Sequence, residues 1–108
     1  VYKKVIENII NCLDKHKANT ITSLNVKESC QFTDYMIICT GTSKRHVQAL
    51  AEHLCEEQKQ LGSLSPLIEG KEIGEWIIVD FIDVVVHIMQ EDARALYALE
   101  KLWHNELQ

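Results

Sequence analysis

Between Tyr2 and His16 the apolar residues Val5, Ile6, Ile9, Ile10 and Leu13 recur at steps of three and four, the period of a helix with one buried face. From Thr20 to Val26 the period drops to two: Ile21, Ser23 and Asn25 alternate with Thr22, Leu24 and Val26, which predicts a strand. The run "DYMIICTGT", Asp34 to Thr42, is almost continuously apolar and ends on Gly41, as a strand buried on both faces does. Ser43 then caps a second helix, in which Val47, Leu50, Ala51, Leu54, Cys55 and Leu61 form one stripe and Gly62 supplies the stop. A short segment with Pro66 leads through Glu69 and Gly70 to "EWIIVDF" and "DVVVHIM", two strand-like runs rich in β-branched residues. Glu91 and Asp92 suit the first turn of a last helix running through Arg94, Leu96, Tyr97 and Leu99 to Trp103. The order α-β-β-α-(β)-β-β-α predicts an α/β sandwich: one domain over residues 1–108, with a small mixed sheet flanked by helices.

The two strand-like runs carry the most information. With Phe81 and Ile82 at the tip of a two-residue hairpin and Asp80 facing Asp83, the residues Ile77, Val79, Val84, Val86 and Ile88 share one face. That face is uniformly apolar and belongs to the core. The other carries Trp76, Ile78, Asp80, Asp83, Val85, His87 and Met89. A second layer of helices could cover it, but an aromatic, aliphatics and a methionine ringed by charge also compose the centre and rim of a partner surface. Two carboxylates opposite each other in a hairpin are mildly destabilising, which a basic partner would reverse. The same face could pair two copies of the chain as a homodimer. A tight turn asks φ > 0 of Ile82, which a β-branched residue resists, so a longer or bulged turn is expected.

A net charge of −5 argues against autonomous nucleic-acid binding, which a basic excess usually marks. Lys44, Arg45 and His46 nevertheless cluster in "GTSKRH" at the start of the second helix, where the dipole disfavours cations. They are expected to project sideways and contact acidic side chains or a phosphate. The cysteines Cys12, Cys30, Cys39 and Cys55 form no C-x-x-C pair, and no histidine stands at the usual zinc-ligand spacing from them. Small core thiols in a reducing, cytoplasmic compartment are expected, with no metal site and no cofactor. No apolar run reaches the ~18 residues of a membrane span.

Three segments together, "TDYMIICTGTSKRHVQALA" (Thr33 to Ala51), "EGKEIGEWIIVDFIDVVVHIM" (Glu69 to Met89) and "RALYALEKLW" (Arg94 to Trp103), resemble the ribosomal silencing factor family, RsfS or Iojap, in order and nearly end to end. The resemblance implies a fold related to nucleotidyltransferases without their activity. It implies binding to the large ribosomal subunit through its fourteenth ribosomal protein, where the bound factor blocks docking of the small subunit and lowers translation when nutrients are short, and help in late large-subunit assembly. On that resemblance Trp76, Asp80, Asp83 and His87 match the family's contact segment, with Ile78 and Met89 beside them and Lys44, Arg45 and His46 as minor ribosomal RNA contacts. Asn25 stands where the family tends to have aspartate, and Ile82 where it tends to have glycine.

The competing enzyme reading is a magnesium-dependent nucleotidyltransferase. Backbone N–H groups of Gly41, Thr42 and Ser43 would cradle a phosphate, and Asp80 with Asp83 would hold the ion. Metal-binding aspartates in such enzymes stand at i and i+2, however, whereas these stand at i and i+3, and no third carboxylate is evident. A nucleophile built from Cys39 with His46 or His87 is disfavoured because a buried strand cysteine is inert. His46 and His53 stand two helical turns apart, too far to share a metal, and His16 lies near a helix end.

Overall fold

A computed structural model describes residues 2–27, 34–62 and 65–97. The helices are α1 (Tyr2–Lys15), α2 (Lys44–Gln60) and α3 (Glu91–Tyr97), and the strands are β1 (Asn19–Asn25), β2 (Tyr35–Gly41), β3 (Leu67–Glu69), β4 (Trp76–Asp80) and β5 (Val84–Gln90). The element order read from periodicity is the one found. Residues from Ala98 onward, including Trp103, and Cys30 lie outside the described residues.

The strands form one sheet in the order β1-β2-β5-β4-β3. It is mixed: β5 runs parallel to β2 and antiparallel to β4, and the outer pairs β1–β2 and β3–β4 are antiparallel. One face packs under α1 and α2. There Ile37, Cys39, Ile77, Val79, Val84, Val86 and Ile88 meet Ile9, Leu13, Val47, Leu50, Ala51 and Leu54. Each large aliphatic side chain removed from water in this layer contributes about 1.5–3 kcal/mol. The opposite face holds a smaller cluster of Val26, Met36, Ile38 and Met89, with Leu24, Trp76 and Ala93 against it.

The start of α3 is held on this second face by Arg94. This buried guanidinium donates to the Thr20 carbonyl, to Thr40 Oγ1 at 2.9 Å and to Thr22 Oγ1 at 3.0 Å. The β2–α2 turn is tight enough that a Cβ at Gly41 would lie 2.6 Å from Val47 Cγ2. Glycine is therefore what lets β2 run directly into α2.

The hairpin differs from its expected register. Asp80 pairs with Val85, Ile78 with His87 and Trp76 with Met89, so the two-residue tip is Ile82–Asp83 and Asp80 does not face Asp83. Moving the tip by one residue changes each cross-strand partner by two, which preserves the faces. Ile77, Val79, Val84, Val86 and Ile88 are all buried on the core side, as expected. Nor is the turn longer or bulged. Ile82 adopts φ +76°, Asp83 N–H donates to the Phe81 carbonyl at 3.0 Å, and Phe81 N–H donates to the Val84 carbonyl at 2.9 Å. A bond spanning three residues around a positive φ marks a strained γ-turn.

Candidate protein-binding face

The second face of the β3–β4–β5 half is assembled from strand parity. Leu67 pairs with Asp80 and Glu69 with Ile78, so β3 adds Leu67 and Glu69 to the side that carries Ile78, Asp80 and Val85. Leu67 is 72% exposed, Glu69 is exposed, and Ile78 and Val85 are half-buried. Ile82, 69% exposed, and Asp83 project at the hairpin tip. The result is an aliphatic patch bordered by three carboxylates, the composition of an interface centre with a charged rim. Leu67 and Glu69 escape a reading of the sequence because three residues after Pro66 are too few to establish alternation.

Beside the patch, on the same face, the expected contact residues divide by depth. Met89 is fully buried and His87 is 7% exposed, so neither presents a side chain to a partner as expected. A flanking cluster covers them because they lie over the sheet centre, beside Met36 and Ile38. Trp76 is half-buried, and its Nε1–H donates to His87 Nδ1 at 2.9 Å, the rings tilted at 41°. His87 Nδ1 is thus an acceptor and the ring proton sits on Nε2. Burial pushes the His87 pKa down to about 4, so the imidazole is uncharged at neutral pH. These three residues flank the patch on the same face and buttress it from the side.

Asp80 also has a local role. Its Oδ1 accepts from Ile82 N–H at 2.7 Å, closing the turn as aspartate side chains commonly do. In the loop before β4, Gly70 has φ +81°, and a Cβ there would meet the Trp76 carbonyl at 2.3 Å. Only glycine lets this loop lie against the strand that carries Trp76.

At "GTSKRH" the expectation of three projecting cations is corrected at His46. Thr42 N–H donates to His46 Nδ1 at 2.9 Å, while His46 Nε2 donates to the His16 carbonyl at 2.9 Å. One nitrogen accepts and the other donates, the pattern of a neutral imidazole. His46 is a structural pin between the ends of α1 and α2. Ser43 Oγ caps α2 by accepting from His46 N–H at 3.1 Å. Lys44 and Arg45 remain exposed. The phosphate cradle of the enzyme reading loses its central donor, because Thr42 N–H is already engaged. Its two metal-binding aspartates are separated in role as well, one closing the turn and the other on the tip. Cys39, the thiol of the nucleophile reading, is buried, with its pKa pushed up to about 12 by desolvation.

Among the described residues no helix is long and apolar enough to cross a membrane. Cys12, Cys39 and Cys55 are free thiols.

A family model described as "Ribosomal silencing factor during starvation" matches residues 2–108. The chain is 46% identical over 99 residues to ribosomal silencing factor RsfS of Haemophilus influenzae, covering 92% of this chain and 97% of that one. It is also 37% identical over 101 residues to the mouse mitochondrial assembly of ribosomal large subunit protein 1, covering 91% of this chain and 44% of that longer protein. A crystal structure of a Chromobacterium violaceum protein superposes with a TM-score of 0.91 at 35% identity, covering 94% of this chain and 85% of that one. Matched over essentially its whole length in sequence and in fold, this chain belongs to the ribosomal silencing factor family.

Proposed function

We propose that this protein binds the large ribosomal subunit through its fourteenth ribosomal protein and sterically blocks docking of the small subunit, acting as a translational repressor rather than as an enzyme. The observation that carries the reading is the exposed β3–β4–β5 face. Leu67, Ile78, Val85 and Ile82 form its apolar centre, and Glu69, Asp80 and Asp83 form its acidic border. Together with a net charge of −5, that border suits a basic ribosomal protein better than bare RNA. A steric mechanism needs only a surface, in keeping with the engaged Thr42 N–H donor and the engaged Asp80 carboxylate acceptor. Lys44 and Arg45 would add a phosphate contact once the protein is docked.

Co-sedimentation with purified large subunits tests this, with variants chosen so that folding is untouched. Trp76→Ala would orphan His87, and Asp80→Lys would open the turn, so the informative changes are Leu67→Glu and Asp83→Lys. Wild type is expected to pellet with free large subunits and not with joined ribosomes. Each variant should weaken binding by about 1–2 kcal/mol, roughly five- to thirtyfold. A folded double variant that binds as well as wild type would remove this face from the interaction.

A further inference from the structure

On the far side of the core from that face, α1 and α2 bring together four side chains of a different chemistry. Cys12 and His16 stand at i and i+4 along α1 and the turn that ends it, and His53 and Glu57 stand at i and i+4 on α2. Residues so spaced share a helix face, and the two helices are in contact, so the pairs meet. A sulfur, an imidazole nitrogen and a carboxylate oxygen from Cys12, His16 and Glu57 lie within 4.8 Å of one another. His16 Nε2 is 3.1 Å from Glu57 Oε2. The His53 ring lies flat on that of His16, centroids 3.6 Å apart and planes within 1°. The expectation that no histidine stands at ligand spacing from a cysteine therefore fails. Loop-based C-x-x-C templates do not cover a one-turn pair on a helix, and the third donor comes from another element.

We propose that Cys12, His16 and Glu57 form a binding site for a divalent transition metal, zinc being the ion its donors fit. Thiolate, imidazole and carboxylate are the three protein donor types of tetrahedral zinc. Bonds of about 2.0–2.3 Å place tetrahedral ligand atoms roughly 3.3–3.6 Å apart. The cluster reaches this by an inward shift on the order of 1 Å. Water takes the fourth position, and His53 braces His16 from its open side. The end of α1 is already fixed, because the His16 carbonyl accepts from His46 Nε2.

In the metal-free state Glu57 is the acceptor for both neighbours. Burial opposes its charge, but hydrogen bonds from His16 and Cys12 and the charge of Lys15 outweigh that and hold its carboxyl below the usual range. Binding an ion forms metal–S, metal–N and metal–O bonds and breaks the Cys12 S–H bond, releasing that proton to solvent. The proton on His16 Nε2 moves to Nδ1. One proton leaves per ion bound, and no redox partner is needed. The site lies outside the proposed docking face, so this inference stands independently of the ribosomal reading.

The test is titration of the reduced, metal-free full chain with cobalt(II), followed by competition with zinc. One equivalent of cobalt is expected to produce a thiolate-to-cobalt charge-transfer band in the near ultraviolet, together with the visible bands of a tetrahedral ion, all abolished by zinc. Cys30→Ser, Cys39→Ser and Cys55→Ser should keep the band, and Cys12→Ser should lose it. His16→Ala and Glu57→Gln alter partly exposed side chains. With circular dichroism unchanged, each should weaken zinc by more than the roughly 10–100-fold that loss of an outer-shell partner costs. The proposal is overturned if folded wild type gives no band, if the band survives in Cys12→Ser, or if His16→Ala and Glu57→Gln bind zinc like wild type.

Discussion

Burial keeps the His87 imidazole uncharged in the fold, while the Trp76 indole occupies its Nδ1. An unfolded chain imposes neither condition, and this difference couples stability to pH. The folded pKa of about 4 lies below the ordinary histidine value of about 6.5, so between these values the unfolded chain binds more protons. Stability should be full above pH ~6.5, fall as the solution is acidified toward pH ~4, and lose roughly 3 kcal/mol from this residue across that window. Urea titrations at a series of pH values would show it. His87→Gln, which retains an acceptor for Trp76, should flatten that part of the profile, and an identical slope in the variant would assign the pH dependence to other groups. Unlike His87, legible only as one residue of a face, Ile82 could be singled out from the sequence because a β-branched residue resists positive φ.

At the scale of the element, the β4–β5 hairpin shows what patterning can and cannot deliver. Parity assigned each side chain to the correct face because the apolar set Ile77, Val79, Val84, Val86 and Ile88 leaves no alternative. The tip was misplaced by one residue because the turn does not obey turn chemistry. Ile82 sits where glycine would be unstrained, at φ +76°. Left-handed backbone costs a non-glycine residue roughly 1–2 kcal/mol, part of which glycine returns through its looser unfolded chain. Ile82→Gly should therefore raise stability by about 0.5–1 kcal/mol, read as a higher melting temperature, while weakening sedimentation with large subunits. Strain kept at an exposed apolar tip makes sense if the tip is used. A variant both more stable and fully binding would show that the isoleucine serves neither end. The α1–α2 cluster illustrates the opposite limit. Nothing in "CLDKH" announces a site until α2 supplies Glu57.

For the whole molecule, element order and core composition were readable from the 3.6- and 2-residue periods, whereas β3's contribution to the candidate face and α3's anchor were not. Arg94 reads as one more charge in a helix. In the fold it reaches Thr20, Thr22 and Thr40, tying the last described helix to the first two strands. Arg94→Met keeps much of the apolar stem but leaves those acceptors without their donor. It should cost about 2–3 kcal/mol, seen as a lower urea midpoint with an unchanged slope. A loss below ~0.5 kcal/mol would mean that water replaces the guanidinium.

The parallel ladder at the centre of the sheet also bears on how the chain reaches this fold. β2 pairs with β1 along one edge, but its other edge is covered only by β5, with Tyr35 beside Val84 and Gly41 beside Gln90, so the central seam joins segments that α2, β3 and β4 separate in the chain. Local pieces such as the β4–β5 hairpin can close early, but a parallel pairing waits for its crossover to be in place. During synthesis β2 emerges well before β5, and the edge that β5 covers has no native mate until Val84–Gln90 has left the ribosome. Completion of the sheet is thus gated by the emergence of β5, and a chain stalled before Val84 exposes an unpaired edge of β2 of the kind that seeds aggregation.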